Sequence, residues 1–269
     1  MSKTKPQTPA APVRRRKSTN PNARASITNN PAFLPTGLPV PSADLPAVVL
    51  KLQGGDNRVL LSISGKDSLA AWLFLREHGF RVIPYFCYSV PGLSYDMEWV
   101  GYLEKFFKTS IYKFLHPSSE SLFRQYCYQT PERVGTIARM GLHDYDFAFL
   151  ESEIRDAEGL SPLTFSAVGI RAKDNLMRHR LVYQMGALGL KKRRYWWCVW
   201  DFSIDETMGI IRRHGAKLSR AYEIWGATGD ILTYNFLRSL KEKSPADFAK
   251  VKQMYPLIDA ELYRYESVK

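Results

Sequence analysis

Five consecutive residues, Ser64-Gly65-Lys66-Asp67-Ser68, hold the ingredients of a phosphate cradle. Backbone N–H groups and small hydroxyls supply neutral donors, Gly65 keeps the backbone approachable, and Lys66 adds a full positive charge. Asp67 is suited to bracing the loop or helping to place a metal ion. A second group of this kind is Gly169-Ile-Arg-Ala-Lys-Asp-Asn-Leu-Met-Arg178. Arg171 follows the glycine closely, and its planar guanidinium can grip phosphate or sulfate in a forked contact. Arg178 stands one to two helical turns further on. Lys173 and His179 read more simply as the solvated face of a helix start.

Both groups follow apolar runs that read as strands. Val59 to Ile63 leads into the first loop, and the helical pattern with Leu69, Trp72 and Leu73 on one side leaves it. A strand, a tight loop and a helix aim the loop amides and the helix N-terminus at one point, which favours an anion there. The loop is not a Walker A sequence, because Leu60 stands at its first glycine position and Asp67 replaces the Ser or Thr after Lys66. Leu163 to Gly169 reads as the strand before Arg171. Further strands are expected over Arg81–Val90, Ile111–Leu115 and Arg194–Trp200. Helices are expected over Tyr95–Phe107, Ser119–Tyr128, Pro131–Met140, Asp144–Glu158, Ile231–Glu242 and Pro245–Tyr263. Ser203 and Glu206 form a capping box for one more helix. This alternation predicts an α/β fold: a Rossmann-like parallel sheet of about five strands with helices on both faces and a helical C-terminal extension. In such a sheet ligands sit at the carboxyl ends of the strands, so the two groups are expected to share one mouth.

Composition places these elements in a chain of 269 residues, 45% hydrophobic, enough for a substantial core. Half of its net charge of +12 lies in residues 1–45, where seven Lys and Arg face Asp44 alone. That stretch is rich in Pro, Ser, Thr, Asn and Ala and is expected to be a disordered basic tail. Arg14-Arg-Arg-Lys17 makes nucleic acid one candidate partner for it, with simple solubility as the alternative. The remaining divisions are a nucleotide-binding α/β domain over 46–230 and the helical extension over 231–269. The extension is expected either to close the pocket or to form an oligomer face. No apolar run has the length of a membrane span, and no secretory apolar block opens the chain. The three cysteines, Cys87, Cys127 and Cys198, show neither a CxxC pair nor zinc-ligand spacing. A reducing cytoplasm is the expected compartment.

Three stretches resemble, in order, the phosphoadenylyl-sulfate (PAPS) reductase-like family of the PP-loop ATP pyrophosphatases, also termed adenine nucleotide α-hydrolases. Gly65, Lys66, Asp67 and Ser68 fit the PP-loop pattern Ser-Gly-Gly-X-Asp-Ser, with Ile63 and Ser64 where Ser and the first Gly are expected. Gly169-Ile-Arg-Ala with Asp174 and Arg178 is similar to the family's arginine motif. Trp200-Asp-Phe-Ser-Ile-Asp-Glu-Thr and the Tyr222 to Gly226 stretch resemble its later elements, including members carried by phages. The resemblance implies that Ser64, Gly65, Lys66, Asp67, Ser68, Gly169, Arg171 and Arg178 bind ATP or PAPS, with Mg²⁺ alongside. It also implies catalytic roles for Lys66, Asp67 and Arg171. The family's reductases carry a C-terminal Glu-Cys-Gly-Leu-His, which has no counterpart here, so thiol-based reduction and an iron–sulfur cluster are not expected. The expected activity is adenylation of an acceptor at the α-phosphate of ATP with release of pyrophosphate, serving nucleic-acid modification or sulfur metabolism. The alternatives are an adenylyl-sulfate reductase or sulfurtransferase, for which Cys127 at a helix end is the thiol candidate because Cys87 and Cys198 read as core residues, and a non-catalytic nucleotide-binding module with a nucleic-acid-binding tail.

Overall fold

The computed structural model describes residues 30–143, 145–190, 193–225 and 232–267. At its centre is a Rossmann-like sheet built from β1 (Arg58–Ile63), β2 (Arg81–Tyr88), β3 (Tyr112–Leu115), β4 (Ser166–Val168), β5 (Leu188–Gly189) and β6 (Tyr195–Trp197). The strand order is β3-β2-β1-β4-β6-β5, parallel throughout except for β5 against β6. The sheet therefore has six strands where the apolar runs announce five. The extra strand pairs only two residues at an edge, too few to leave a period in the sequence.

Helices cover both faces. They are α1 (Leu45–Leu52), α2 (Lys66–Glu77), α3 (Ser94–Phe107), α4 (Pro117–Arg124), α5 (Pro131–Arg139), α6 (Phe147–Ala157), α7 (Leu176–Met185), α8 (Ile204–Arg213), α9 (Ala221–Trp225), α10 (Tyr234–Lys243), α11 (Pro245–Met254) and α12 (Asp259–Glu266). Successive strand residues point to opposite faces, so β1 sends Val59, Leu61 and Ile63 to one core and Leu60 to another. The larger core holds α2, whose residues from Ser68 to Leu75 are all buried. Trp72 stacks on Phe107 of α3 at 3.7 Å, and Phe74 meets Phe202 edge-on. A helix packed on nearly every side is fixed in position, and so is the loop before it. On the other face α6 is pinned by the buried Glu151 carboxylate, which accepts from Tyr85 Oη at 2.8 Å and Arg193 Nε at 3.0 Å.

Three elements differ from expectation. The folded body starts well before residue 46: Ala32 is fully buried, and Val40 and Ser42 are nearly so. Trp200 Nε1 donates to the Val40 carbonyl at 3.0 Å, and Ser42 N donates to Asp201 Oδ2 at 3.1 Å. A proline-rich segment that closes on itself through a Phe33–Pro39 bridge is thus anchored by side chains from the end of the sheet. The basic run Arg14–Lys17 lies outside the described residues. The helix expected over Pro245–Tyr263 is two, because Pro256 has no N–H to give and holds Tyr255 out of the helical region (φ −126°, ψ 79°). The helix expected over Ser119–Tyr128 begins at Pro117 and stops at Arg124, with Tyr126 and Tyr128 at positive φ.

The last helices α10, α11 and α12 bury Phe236, Leu237, Leu240, Phe248, Val251, Tyr255 and Leu262 in a core of their own, joined by Val90, Leu93 and Tyr95 at the entry to α3. No helix among the described residues is long and apolar enough to cross a membrane.

Candidate functional site

The sheet changes direction at β1. Chain progress from β1 runs through β2 to β3 on one side and resumes at β4 on the other. A crevice opens at such a switch point, between the loops leaving the two adjacent strands. Here those loops are Ser64–Gly65 and Gly169–Arg171. The two groups picked out by their chemistry are therefore neighbours, and their approach is very close. A Cβ on Gly169 would lie 2.5 Å from Ser68 Cα and 2.6 Å from both Asp67 O and Ser68 N. Glycine at 169 is what lets the β4 loop rest against the first turn of α2.

Within the first loop Ser68 works inward. Its side chain is buried, and its Oγ accepts from Ser64 N at 2.8 Å and Gly65 N at 3.0 Å while donating to Gly65 O at 2.8 Å. The hydroxyl expected to cradle a ligand instead clasps the loop shut from behind. Lys66 N donates to the phenol oxygen of Tyr222 at 3.1 Å. Tyr222 comes from α9, and Lys66 Nζ stands 6.0 Å from its ring centre. Tyr222 lies inside a stretch flagged by the sequence, but no local spacing tells that its hydroxyl reaches the loop.

Charge in the site is paired. Lys66 Nζ is 3.2 Å from Asp67 Oδ2, and Arg171 Nε is 2.9 Å from Asp67 Oδ1. Arg171 also donates to Asp174 Oδ1, and Arg178 Nη1 stands 3.7 Å from Asp174 Oδ2. Arg171 does not project freely from the strand end as expected: its side chain is 7% exposed, so it acts as a rivet between the two loops. Lys66 is the more accessible cation at the loop, with its side chain 24% exposed. Arg178 lies further out and is exposed.

Beside Ser64 lies a cleft of about 80 Å³ lined by Ser64, Cys87, Ser89, Asp96, Trp99 and Ser219 among others. Asp96 sits in the first turn of α3, where burial, reinforced by the nearby Asp247 carboxylate, pushes its carboxyl up to about 7. Burial also pushes the Cys87 and Cys198 thiols up to about 12, so both are protonated at neutral pH. Sequence reasoning missed Asp96; the available signal was an acid in a helix first turn just after the β2 strand end. A roomier hollow of about 460 Å³ is lined by Arg155, Arg193 and Arg194. It lies at the amino ends of β4 and β6, opposite the loops, and Glu151 already engages Arg193 and Arg155. No group of three or more His, Cys, Asp or Glu side chains among the described residues is placed to hold a metal ion. Comparison with protein-family models and with curated proteins finds no match to this chain.

Proposed function

We propose that this protein binds ATP at the crevice between the β1 and β4 loops and transfers its adenylyl group to an acceptor, releasing pyrophosphate. The observation that carries the reading is the meeting of Ser64–Ser68 and Gly169–Arg171 at the switch point, with the N-terminus of the buried helix α2 directed into it. Three phosphates bring several negative charges to a place already supplied with a helix dipole, Lys66 and, behind them, Arg171. During transfer the acceptor forms a bond to the α-phosphorus, and the bond from phosphorus to the pyrophosphate oxygen breaks. Lys66 is placed to accept the charge that gathers on the leaving pyrophosphate. Arg171 holds Asp67 and so fixes the loop that carries Lys66. Mg²⁺ fits as a companion of the nucleotide, held by phosphate oxygens and water, because Asp67, the loop's own carboxylate, already faces two cations.

The resemblance to the PAPS reductase-like family supports an adenine nucleotide over other phosphate compounds. Against reduction or sulfur transfer weigh the two protonated thiols, Cys87 and Cys198. The test is pyrophosphate release from ATP and Mg²⁺. A K66A/R171A double variant is expected to lose it by at least a hundredfold. Full turnover by that variant would remove these two residues from the account.

A further inference from the structure

The acceptor side of the reaction has a place in the fold. Resting on the adenylyl-transfer reading above, we infer that the cleft beside Ser64 receives the acceptor, that the acceptor is a hydroxyl or amine rather than an oxyanion such as sulfate, and that Asp96 takes its proton.

Five observations meet here. The cleft touches the phosphate loop directly, because Ser64 belongs to both. Ala221, also in its wall, precedes the Tyr222 that reaches Lys66 N. None of the residues lining the cleft is Lys or Arg. A dianionic acceptor would enter a space with no cation to meet it and with a carboxyl already there, a costly arrangement for buried charge. The lining groups are instead suited to a neutral polar guest: the Ser64, Ser89 and Ser219 side chains, and Trp99, whose buried Nε1 donor has no hydrogen-bond partner. At about 80 Å³ the cleft admits the end of an acceptor and excludes a nucleotide.

In the step itself the Asp96 carboxylate removes the proton from the acceptor O–H or N–H as that atom bonds to the α-phosphorus. The electron pair of the broken P–O bond leaves on pyrophosphate, and AMP stays on the acceptor. Atoms and charge balance with ATP as the sole co-substrate. The surroundings keep Asp96 near the working range of a base at neutral pH: burial and Asp247 of α11 raise it, Lys250 is paired with Asp247 at 2.9 Å, and Cys87 of β2 and Tyr95 of α3 contribute neutral neighbours. The base must be ionised, so turnover falls as pH drops below about 7.

The experiment measures pyrophosphate release from ATP and Mg²⁺ between pH 5.5 and 9, with water alone, with ethanolamine and with sulfate as added acceptors. Wild type, D96N and D96E are compared, and ATP affinity is followed separately by calorimetry. The inference expects ethanolamine but not sulfate to accelerate release, and an acid limb in wild type. It expects D96N to lower kcat by about 10²–10⁴-fold and abolish the limb while ATP affinity stays within twofold, with partial recovery in D96E. Stimulation by sulfate, or a D96N protein that keeps both kcat and the acid limb, overturns it while leaving adenylyl transfer standing. A wild-type protein that binds ATP but releases no pyrophosphate under any acceptor overturns adenylyl transfer and this inference together. Melting curves on the variants separate a lost base from a lost fold.

Discussion

Gly169 has no room for a side chain, and that single fact ties the two loops into one site. A methyl group there would press into the backbone of Asp67 and Ser68 at 2.5–2.6 Å, and backbone cannot step aside as a flexible side chain can. Gly169→Ala is expected to cost about 1–3 kcal/mol and to weaken ATP binding more than tenfold, read by melting temperature and calorimetry. Arg171 is the second such residue. Arg171→Lys keeps the charge but cannot span Asp67 and Asp174 with one planar group, so ATP binding should stay impaired where a merely charged requirement would be rescued. Asp96 makes its own statement through stability. Its carboxyl titrates near 7 in the fold against 3.8 ordinarily, so the folded state holds the proton more tightly than the unfolded chain. Stability contributed this way is present below pH 4 and is lost as pH rises toward 7. Asp96→Asn should therefore match wild type at pH 4 and exceed it by roughly 2–4 kcal/mol at pH 8 in denaturant titrations. An equal difference at both pH values would contradict the placement of Asp96.

At the level of elements, two helices from late in the chain act on early ones. α9 lays the Tyr222 hydroxyl on the amide that opens α2. Tyr222→Phe frees that N–H and is expected to tighten ATP binding about three- to tenfold, the worth of one neutral hydrogen bond; weaker binding would mean that the hydroxyl itself contacts the ligand. α11 presents Asp247, which accepts from Ser94 N at 3.0 Å and Ser94 Oγ at 2.5 Å and so caps α3. Burial raises this carboxyl, while Lys250, Ser94 and Ser244 outweigh that and hold it below its ordinary value. Its contribution is present above pH 4 and fades as pH falls through the depressed value. Asp247→Ala should cost about 1–3 kcal/mol at pH 7, less at pH 3. Elements of this kind differ in how well sequence announces them. The Ser203–Glu206 capping box forms as expected, with bonds of 2.6 and 3.1 Å, because its partners lie three residues apart. Tyr222 on Lys66 and Asp247 on Ser94 bridge 156 and 153 residues, and no local pattern records them.

For the whole molecule, strand-helix alternation was enough to anticipate a sheet with helices on both faces, since the period of each element is local. It did not anticipate the burial of Ala32, Val40 and Ser42, in a short loop closed by a Phe33–Pro39 bridge and tied to the sheet by Trp200 and Asp201 across about 160 residues. It placed Lys66 and Arg171 in segments that follow β1 and β4 but could not tell a free arginine from one riveted between two aspartates, because that depends on how closely β1 and β4 approach. The same geometry makes the account testable in one step. Calorimetric titration of ATP with Mg²⁺ into wild type and Lys66→Ala measures whether the crevice between the β1 and β4 loops holds nucleotide phosphates. Wild type is expected to bind ATP saturably at one-to-one stoichiometry and the variant to lose at least tenfold; no binding by wild type, or equal binding by both, would contradict a nucleotide site at this crevice.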